Sequence, residues 1–155
     1  MRVFYVFDID GTLSDPGHRV HILKNKRDLR RWDDFYGMAK YDAPISPVLR
    51  LFSDLWFSQQ NVRIWTGRTE SIRADTVRWL HRFTSIDPSA ISMRLLMRPD
   101  GNNVPDYIIK KIWLEDLSRT LLFEDRIVAF EDRKRCVEMF RAHGVTCLQV
   151  AEGDY

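Results

Sequence analysis

Residues 2–7 read RVFYVF, a β-branched and aromatic run with no polar alternation past Arg2, and predict a strand covered on both faces. A polar stretch follows to Ser46. The segment SPVLRLFSDLWFSQQ then places Val48, Leu49, Phe52, Leu55 and Trp56 at helical spacing, with Ser46 as the expected N-cap and Pro47 at the first helical position. A short strand is expected at 62–65, then a helix from near Thr69 with Ile72, Trp79, Leu80 and Phe83 on one face. MRLLM (93–97) predicts a strand, PDYIIKKIWLEDL a helix entered through Pro105, and RIVAF (126–130) another strand. DRKRCVEMFRAHG predicts a helix stopped by Gly144, and VTCLQV (145–150) a last strand.

Alternation of this kind implies an α/β fold, with a parallel sheet of about five strands and helices on both faces. In such sheets ligands bind beyond the carboxyl ends of the strands. Chemistry-bearing residues stand at those positions. The first strand runs into FDIDGT, with Asp8, Asp10 and a Gly11 that lets the chain turn at once; this also reads as an ordinary Asp-Gly turn. The second runs into WTGR, where Thr66, Gly67 and Arg68 precede a helix whose exposed N–H groups suit a phosphate. On the helix after Pro105, the apolar positions Ile108, Ile109, Ile112, Trp113 and Leu117 define the expected buried arc. Lys110 borders that arc, four residues after Asp106 and so expected to pair with it, while Lys111 points to solvent.

The motif FEDR occurs twice. Glu124-Asp125 precedes the strand 126–130 and reads as a surface connection; Glu131-Asp132 follows it, on the edge that carries Asp8, Asp10, Thr66 and Arg68. Converging carboxylates repel unless a cation joins them, and a hard divalent ion such as Mg²⁺ bridges carboxylates to phosphate. An acidic nucleophile, a neighbouring acid, a hydroxyl, an ammonium and a metal together suit phosphoryl transfer.

Composition changes the picture little. Of 155 residues, 45% are hydrophobic and 30% charged, with a net charge of +2, which fits one compact domain and says little about partners. Local charge says more: Arg19, Lys24, Lys26, Arg27, Arg30 and Arg31 crowd one segment, readable as a solvated face or as a surface for phosphates. Cys136 and Cys147 lack metal-type spacing and read as reduced thiols. With no signal-peptide pattern and no apolar run of membrane-spanning length, a soluble cytoplasmic location is expected, the host cytoplasm if phage-encoded.

FDIDGT, the hydroxyl of WTGR, the Lys of DYIIKK and the acidic pair of FEDRKR, in that order, resemble the four motifs of haloacid dehalogenase-like (HAD) phosphohydrolases. The resemblance is closest to the phosphatase half of phage polynucleotide kinase–phosphatases, and it spans nearly the whole chain. It implies a three-layer, Rossmann-like HAD fold with a small cap inserted after the first strand, here about 14–45. It implies Asp8 as nucleophile, Asp10 as acid and base, and Thr66 and Lys110 on the phosphoryl oxygens. Mg²⁺ would be held by Asp8, the Asp10 carbonyl and Asp132, and Arg19, Gly67, Arg68 and Asp106 would seat the substrate. No GxxxxGK[ST] loop occurs, so a phosphatase without its kinase half is expected.

The insertion is too short for a large lid, which favours the end of a polymer as substrate. Arg19 to Arg31 would line the opening, with Trp32, Phe35 and Tyr36 either stacking bases or packing a small helix. The expected activity is therefore Mg²⁺-dependent removal of 3′-phosphates from DNA or RNA ends. The alternatives are a phosphatase of mononucleotides or other small phosphomonoesters, and a phosphoaccepting receiver-like module. The order Asp-x-Asp, Thr, Lys, Glu-Asp argues against the receiver.

Overall fold

The computed structural model describes residues 1–153. In chain order the elements are β1 (Val3–Phe7), β2 (Ser14–Asp15), α1 (Arg31–Gly37), β3 (Ala43–Pro44), α2 (Ser46–Phe57) and β4 (Asn61–Thr69). There follow α3 (Arg73–Thr84), α4 (Pro88–Arg94), β5 (Leu95–Arg98), α5 (Asp106–Ser118), β6 (Arg126–Glu131), α6 (Lys134–Ala142) and β7 (Thr146–Gln149). Five strands form one parallel sheet in the order β5-β4-β1-β6-β7, the three-layer HAD architecture expected. No helix among the described residues is long and apolar enough to cross a membrane.

β1 is central because both its faces are apolar. Phe7 stacks on Phe130 of β6 at 4.2 Å and meets Phe52 of α2 edge-on at 5.3 Å, in a core shared with Ile64, Trp79, Leu80 and Ile91. Phe4 and Val6 point the other way, into a second core built from Trp65, Ala129, Leu114, Val137 and Phe140 under α5 and α6. A strand packed on both sides cannot slip register by one residue without burying the wrong set, so its end is held in place.

Between Ser14 and Pro44 the chain leaves the sheet and returns through the small antiparallel pair β2–β3. This insertion carries a 3₁₀ segment (Gly17–Lys24) and α1. On α1, Phe35 and Tyr36 are buried and Trp32 is 38% exposed, so the aromatic trio divides between packing and surface.

Several boundaries differ from the sequence expectation. Ser46 is the first helical residue and not a cap, with Ile45 before it making no side-chain cap. β4 extends four residues past Trp65, and its pairing with β5 slips between Thr66 and Thr69, a bulge across Gly67 and Arg68. α4 was unanticipated, although Asp87 caps it by accepting from the Ser89 and Ala90 amides, with Pro88 in its first turn. On α5 the buried arc is rotated: Ile109, Lys110 and Leu114 face inward, while Ile112 is 52% exposed. Lys110 turns that face inward because buried carboxylates await its ammonium.

Candidate active site

Beyond Phe7 the chain no longer runs straight. The Asp8 amide still donates to the Phe130 carbonyl at 3.0 Å, but Gly11 sits at φ +80° and the amides of Thr12, Leu13 and Ser14 all turn back onto the Ile9 carbonyl. This wrapped turn sends Asp8 and Asp10 into two adjacent but chemically different settings.

Asp8 faces Lys110. The ammonium donates to Asp8 Oδ1 at 2.8 Å and to Glu131 Oε2 at 2.6 Å, with all three side chains buried. Glu131 is otherwise occupied by the Asp132 and Arg133 amides, both at 3.2 Å from Oε1. Burial alone would depress the Lys110 pKa, yet Asp8 and Glu131 outweigh it and hold the ammonium charged. The predicted Asp106–Lys110 pair does not form: Lys110 finds deeper carboxylates, and Asp106 is bridged by Arg133 at 2.5 Å.

Asp132 is unlike its neighbours. Both its carboxylate oxygens are buried and neither has a hydrogen-bond partner among the described residues. A Cβ on Gly11 or Gly153 would stand 2.1 or 2.0 Å from its Oδ2, so glycines make the space it occupies. Ligand oxygens of Asp8, Glu131 and Asp132 lie within 4.8 Å of one another. Burial first, then mutual repulsion, pushes the Asp8 and Asp132 carboxyls well above the usual range. An orphaned carboxylate beside a second one, enclosed and repelled, fits a hard divalent cation. Asp8 and Asp132 are the side chains that would hold it, since Glu131 is saturated by Lys110 and amides.

Asp10 lies in a cationic setting. Its Oδ1 accepts from Arg19 Nη2 at 2.6 Å and from Arg68 Nη2 at 2.6 Å and Nε at 2.9 Å, with Ser14 Oγ 3.3 Å away. Burial favours the neutral acid, but the two guanidiniums reverse that and bring its pKa down to about 2. Among the described residues every hydrogen bond to this carboxylate falls on Oδ1, and Asp10 lines the recess it shares with Asp8 and Thr66. Thr66 accepts from the Arg68 amide at 3.3 Å, leaving its own hydrogen to donate. Gly67 borders the recess and its carbonyl accepts from Tyr36 Oη at 3.0 Å and Arg98 Nε at 2.9 Å.

Two expectations about cations change. Arg19 and Arg68 are fully buried behind Asp10 and do not line the recess, because two aspartates neutralise them there. Nor do Arg27, Arg30 and Arg31 line the opening. The recess leads into an open cleft of about 870 Å³ whose basic side chains are Arg98, Arg133, Lys134 and Arg135, faced by Trp32, Tyr36 and Tyr107. Both arginines on Asp10 are also bound by Asp42, a residue sequence reasoning did not single out.

No curated protein sequence matches the chain. Among solved structures, a chain of the Pnkp1/Rnl/Hen1 RNA repair complex is 27% identical with a TM-score of 0.71, covering all of this chain and 44% of its own length. A chain of a second Pnkp1/Rnl/Hen1 complex is 26% identical at a TM-score of 0.66, and there the share is 48%, so this chain spans under half of either. The class C acid phosphatase from Bacillus anthracis, with tungstate bound, shares the fold at 16% identity and a TM-score of 0.66, covering 99% of this chain and 68% of that one. The family model of the polynucleotide kinase PNKP phosphatase domain matches residues 3–155, and the chain belongs to that family of HAD-like phosphatases.

Proposed function

We propose that this domain is a Mg²⁺-dependent polynucleotide 3′-phosphatase acting through an aspartyl-phosphate on Asp8. The observation that carries the reading is the continuity of two spaces: the acidic recess shares Trp32, Tyr36, Asp106 and Arg133 with an open cleft of about 870 Å³ that has aromatic and basic walls. A recess alone would suit any phosphomonoester. A cleft of this size running away from it suits a chain attached to the phosphate, with bases stacked on Trp32 and backbone phosphates beside Lys134 and Arg135. The RNA repair setting of the Pnkp1 relatives supports a nucleic-acid end, DNA or RNA.

In this reading an Asp8 oxygen attacks phosphorus and the bond from phosphorus to the 3′-oxygen breaks. Asp10, through Oδ2, gives its proton to that oxygen, leaving a 3′-hydroxyl. Water then attacks the phosphoryl group, Asp10 takes a proton from it, and Asp8 and inorganic phosphate are released. The two guanidiniums lower the Asp10 pKa, and an incoming phosphate dianion raises its proton affinity again by repulsion. Lys110 and the Thr66 hydroxyl neutralise and orient the transferring oxygens. Bound at Asp8 and Asp132, with the Asp10 carbonyl as the resemblance implies, Mg²⁺ supplies charge neutralisation between carboxylates and phosphate.

The test compares kcat/KM on a 3′-phosphorylated oligonucleotide with that on nucleoside 3′- and 5′-monophosphates, in Mg²⁺ and in chelator. Preference for the oligonucleotide, loss in chelator, and phosphate trapped on the wild type but not on Asp8→Asn are expected. Equal or faster turnover of the monomers overturns the polynucleotide assignment and leaves a small-molecule phosphatase.

A further inference from the structure

Asp42 touches neither the recess nor the cleft, yet it closes the cluster that holds Asp10. Its Oδ1 accepts from Arg19 Nε at 2.7 Å, and its Oδ2 accepts from Arg19 Nη2 at 2.6 Å, Arg68 Nη2 at 2.9 Å and Ser14 Oγ at 2.9 Å. The His18 ring nitrogen Nε2 stands 2.9 Å from Oδ1, and the Asp42 carbonyl accepts from Trp79 Nε1 at 2.8 Å. Both guanidiniums are thereby shared between two aspartates. Arg19 is also pressed on the Phe35 ring at 4.0 Å and donates to the Phe35 carbonyl at 3.3 Å.

The charges balance only as a set. Asp10 and Asp42 carry two negative charges, Arg19 and Arg68 two positive, and all four side chains are buried. With Asp42 removed, two buried guanidiniums would face one carboxylate, and Arg19 would lose its two-point attachment. It would then be free to pull on Asp10 from a new direction. The members also come from different parts of the fold: Arg19 and Asp42 belong to the 14–45 insertion, whereas Asp10 lies in the turn that follows β1 and Arg68 is on β4.

We infer that Asp42 is a positioning residue that fixes Arg19 and Arg68 on Oδ1 of Asp10, so that Oδ2 is presented to the leaving oxygen of the substrate. The inference rests on the phosphatase reading, and on Asp10 as its acid. Asp42 makes no contact with substrate in it. A group that acts by aiming the acid matters in proportion to how much the leaving group needs a proton. A sugar alkoxide needs one; p-nitrophenolate does not.

The experiment measures kcat/KM, which reports only steps up to departure of the leaving group, for wild type and Asp42→Asn on a 3′-phosphorylated oligonucleotide and on p-nitrophenyl phosphate. Asp42→Asn is expected to lose about 10²-fold on the oligonucleotide, the scale of a small misplacement of a catalytic group, with a loss on p-nitrophenyl phosphate at least about tenfold smaller. Ser14→Ala, which removes the hydroxyl shared by Asp10 and Asp42 without changing charge, is expected to show the same selectivity to a smaller degree. It serves as the readout if Asp42→Asn does not fold. Equal losses on both substrates, for whichever variant folds, overturn the inference and leave Asp42 a structural ion pair. A wild-type protein inactive on both substrates overturns the phosphatase reading itself, a separate and distinguishable failure.

Discussion

Lys110 Nζ stands 2.8 Å from Asp8 Oδ1, joining α5 to the end of β1 across 102 positions of sequence. The same ammonium meets Glu131 at 2.6 Å, so one cation holds together the ends of two neighbouring strands. Lys110→Met would leave Asp8, Glu131 and Asp132 buried without a counter-charge. Removing one partner of a buried pair costs about 3–5 kcal/mol. Urea unfolding in chelator should show a loss of that size, together with loss of turnover; unchanged stability would mean the ammonium is not neutralising these carboxylates.

Asp132 gives the opposite sign. In the metal-free protein its carboxylate has no hydrogen-bond partner among the described residues and is repelled by Asp8, so it opposes folding. Asp132→Asn should raise Tm in chelator while abolishing the rise in Tm that Mg²⁺ gives the wild type. The readout needs no substrate. A variant whose Tm still climbs with Mg²⁺ would place the cation elsewhere.

The same groups set a pH dependence. Asp8 and Asp132 have raised carboxyl pKa values when folded, so the metal-free native state binds more protons than the unfolded chain above about pH 4. Their contribution is present below that pH and is lost as pH rises. Asp10, brought down to about 2, works the other way: its contribution is present above about pH 4 and is lost as pH falls toward 2. Unfolding in chelator should therefore give declining stability from about pH 5 to 8, and saturating Mg²⁺ should flatten that decline. A metal-free protein that gains stability over this range would contradict the assignment of the raised carboxyls.

Much of the sheet was legible because its signals are local. Apolar runs at β1 and β6, Gly144 after α6, and Pro47 and Pro105 at helix starts are all readable within a few residues. The grouping of Asp8, Asp10, Thr66 and Glu131-Asp132 followed from one topological rule, that strand ends share an edge, whereas Lys110 was singled out by its place beside the apolar arc of α5. What failed was tertiary. Asp42 is an isolated acid in a polar stretch, and its partners stand 23 to 28 residues away. The Asp106–Lys110 spacing predicted a helix-surface pair, and buried carboxylates from other strands outcompeted it. The basic cluster at 24–31 read either as a solvated face or as a lining of the opening, and the basic side chains that line the cleft are instead Arg98 at the end of β5, Arg133, and Lys134 and Arg135 on α6.

The two FEDR copies make a paired test. Asp125 is buried and accepts from the Arg2 side chain, from the Arg2 amide at 2.9 Å and from the Leu122 amide at 2.9 Å, pinning the start of β6 at the far end from the site. It is therefore a buried clasp and not the surface connection its position suggested, although Glu124 beside it is exposed. Asp125→Asn should lower Tm while keeping kcat. Asp132→Asn should do the reverse. If Asp125→Asn reduced kcat in fully folded protein, the division between the two copies would fail.

The cleft makes the last prediction quantitative. Trp32 is 38% exposed, lines the cleft and is stacked on Tyr36 at 5.8 Å. Base stacking on an aromatic ring contributes about 1–3 kcal/mol, so Trp32→Ala should raise KM for a 3′-phosphorylated oligonucleotide by about 5- to 150-fold, and much more than KM for p-nitrophenyl phosphate. Lys134 and Arg135 act differently, since a cation beside a phosphate strengthens every sequence alike. Each replaced by alanine should reduce the slope of log KM against log salt by about 0.7, the value for one phosphate of a single strand. Arg27→Ala and Arg30→Ala, outside the cleft, should leave that slope alone. A slope that responds to Arg27 and Arg30 but not to Lys134 and Arg135 would move the strand off the cleft and onto the insertion.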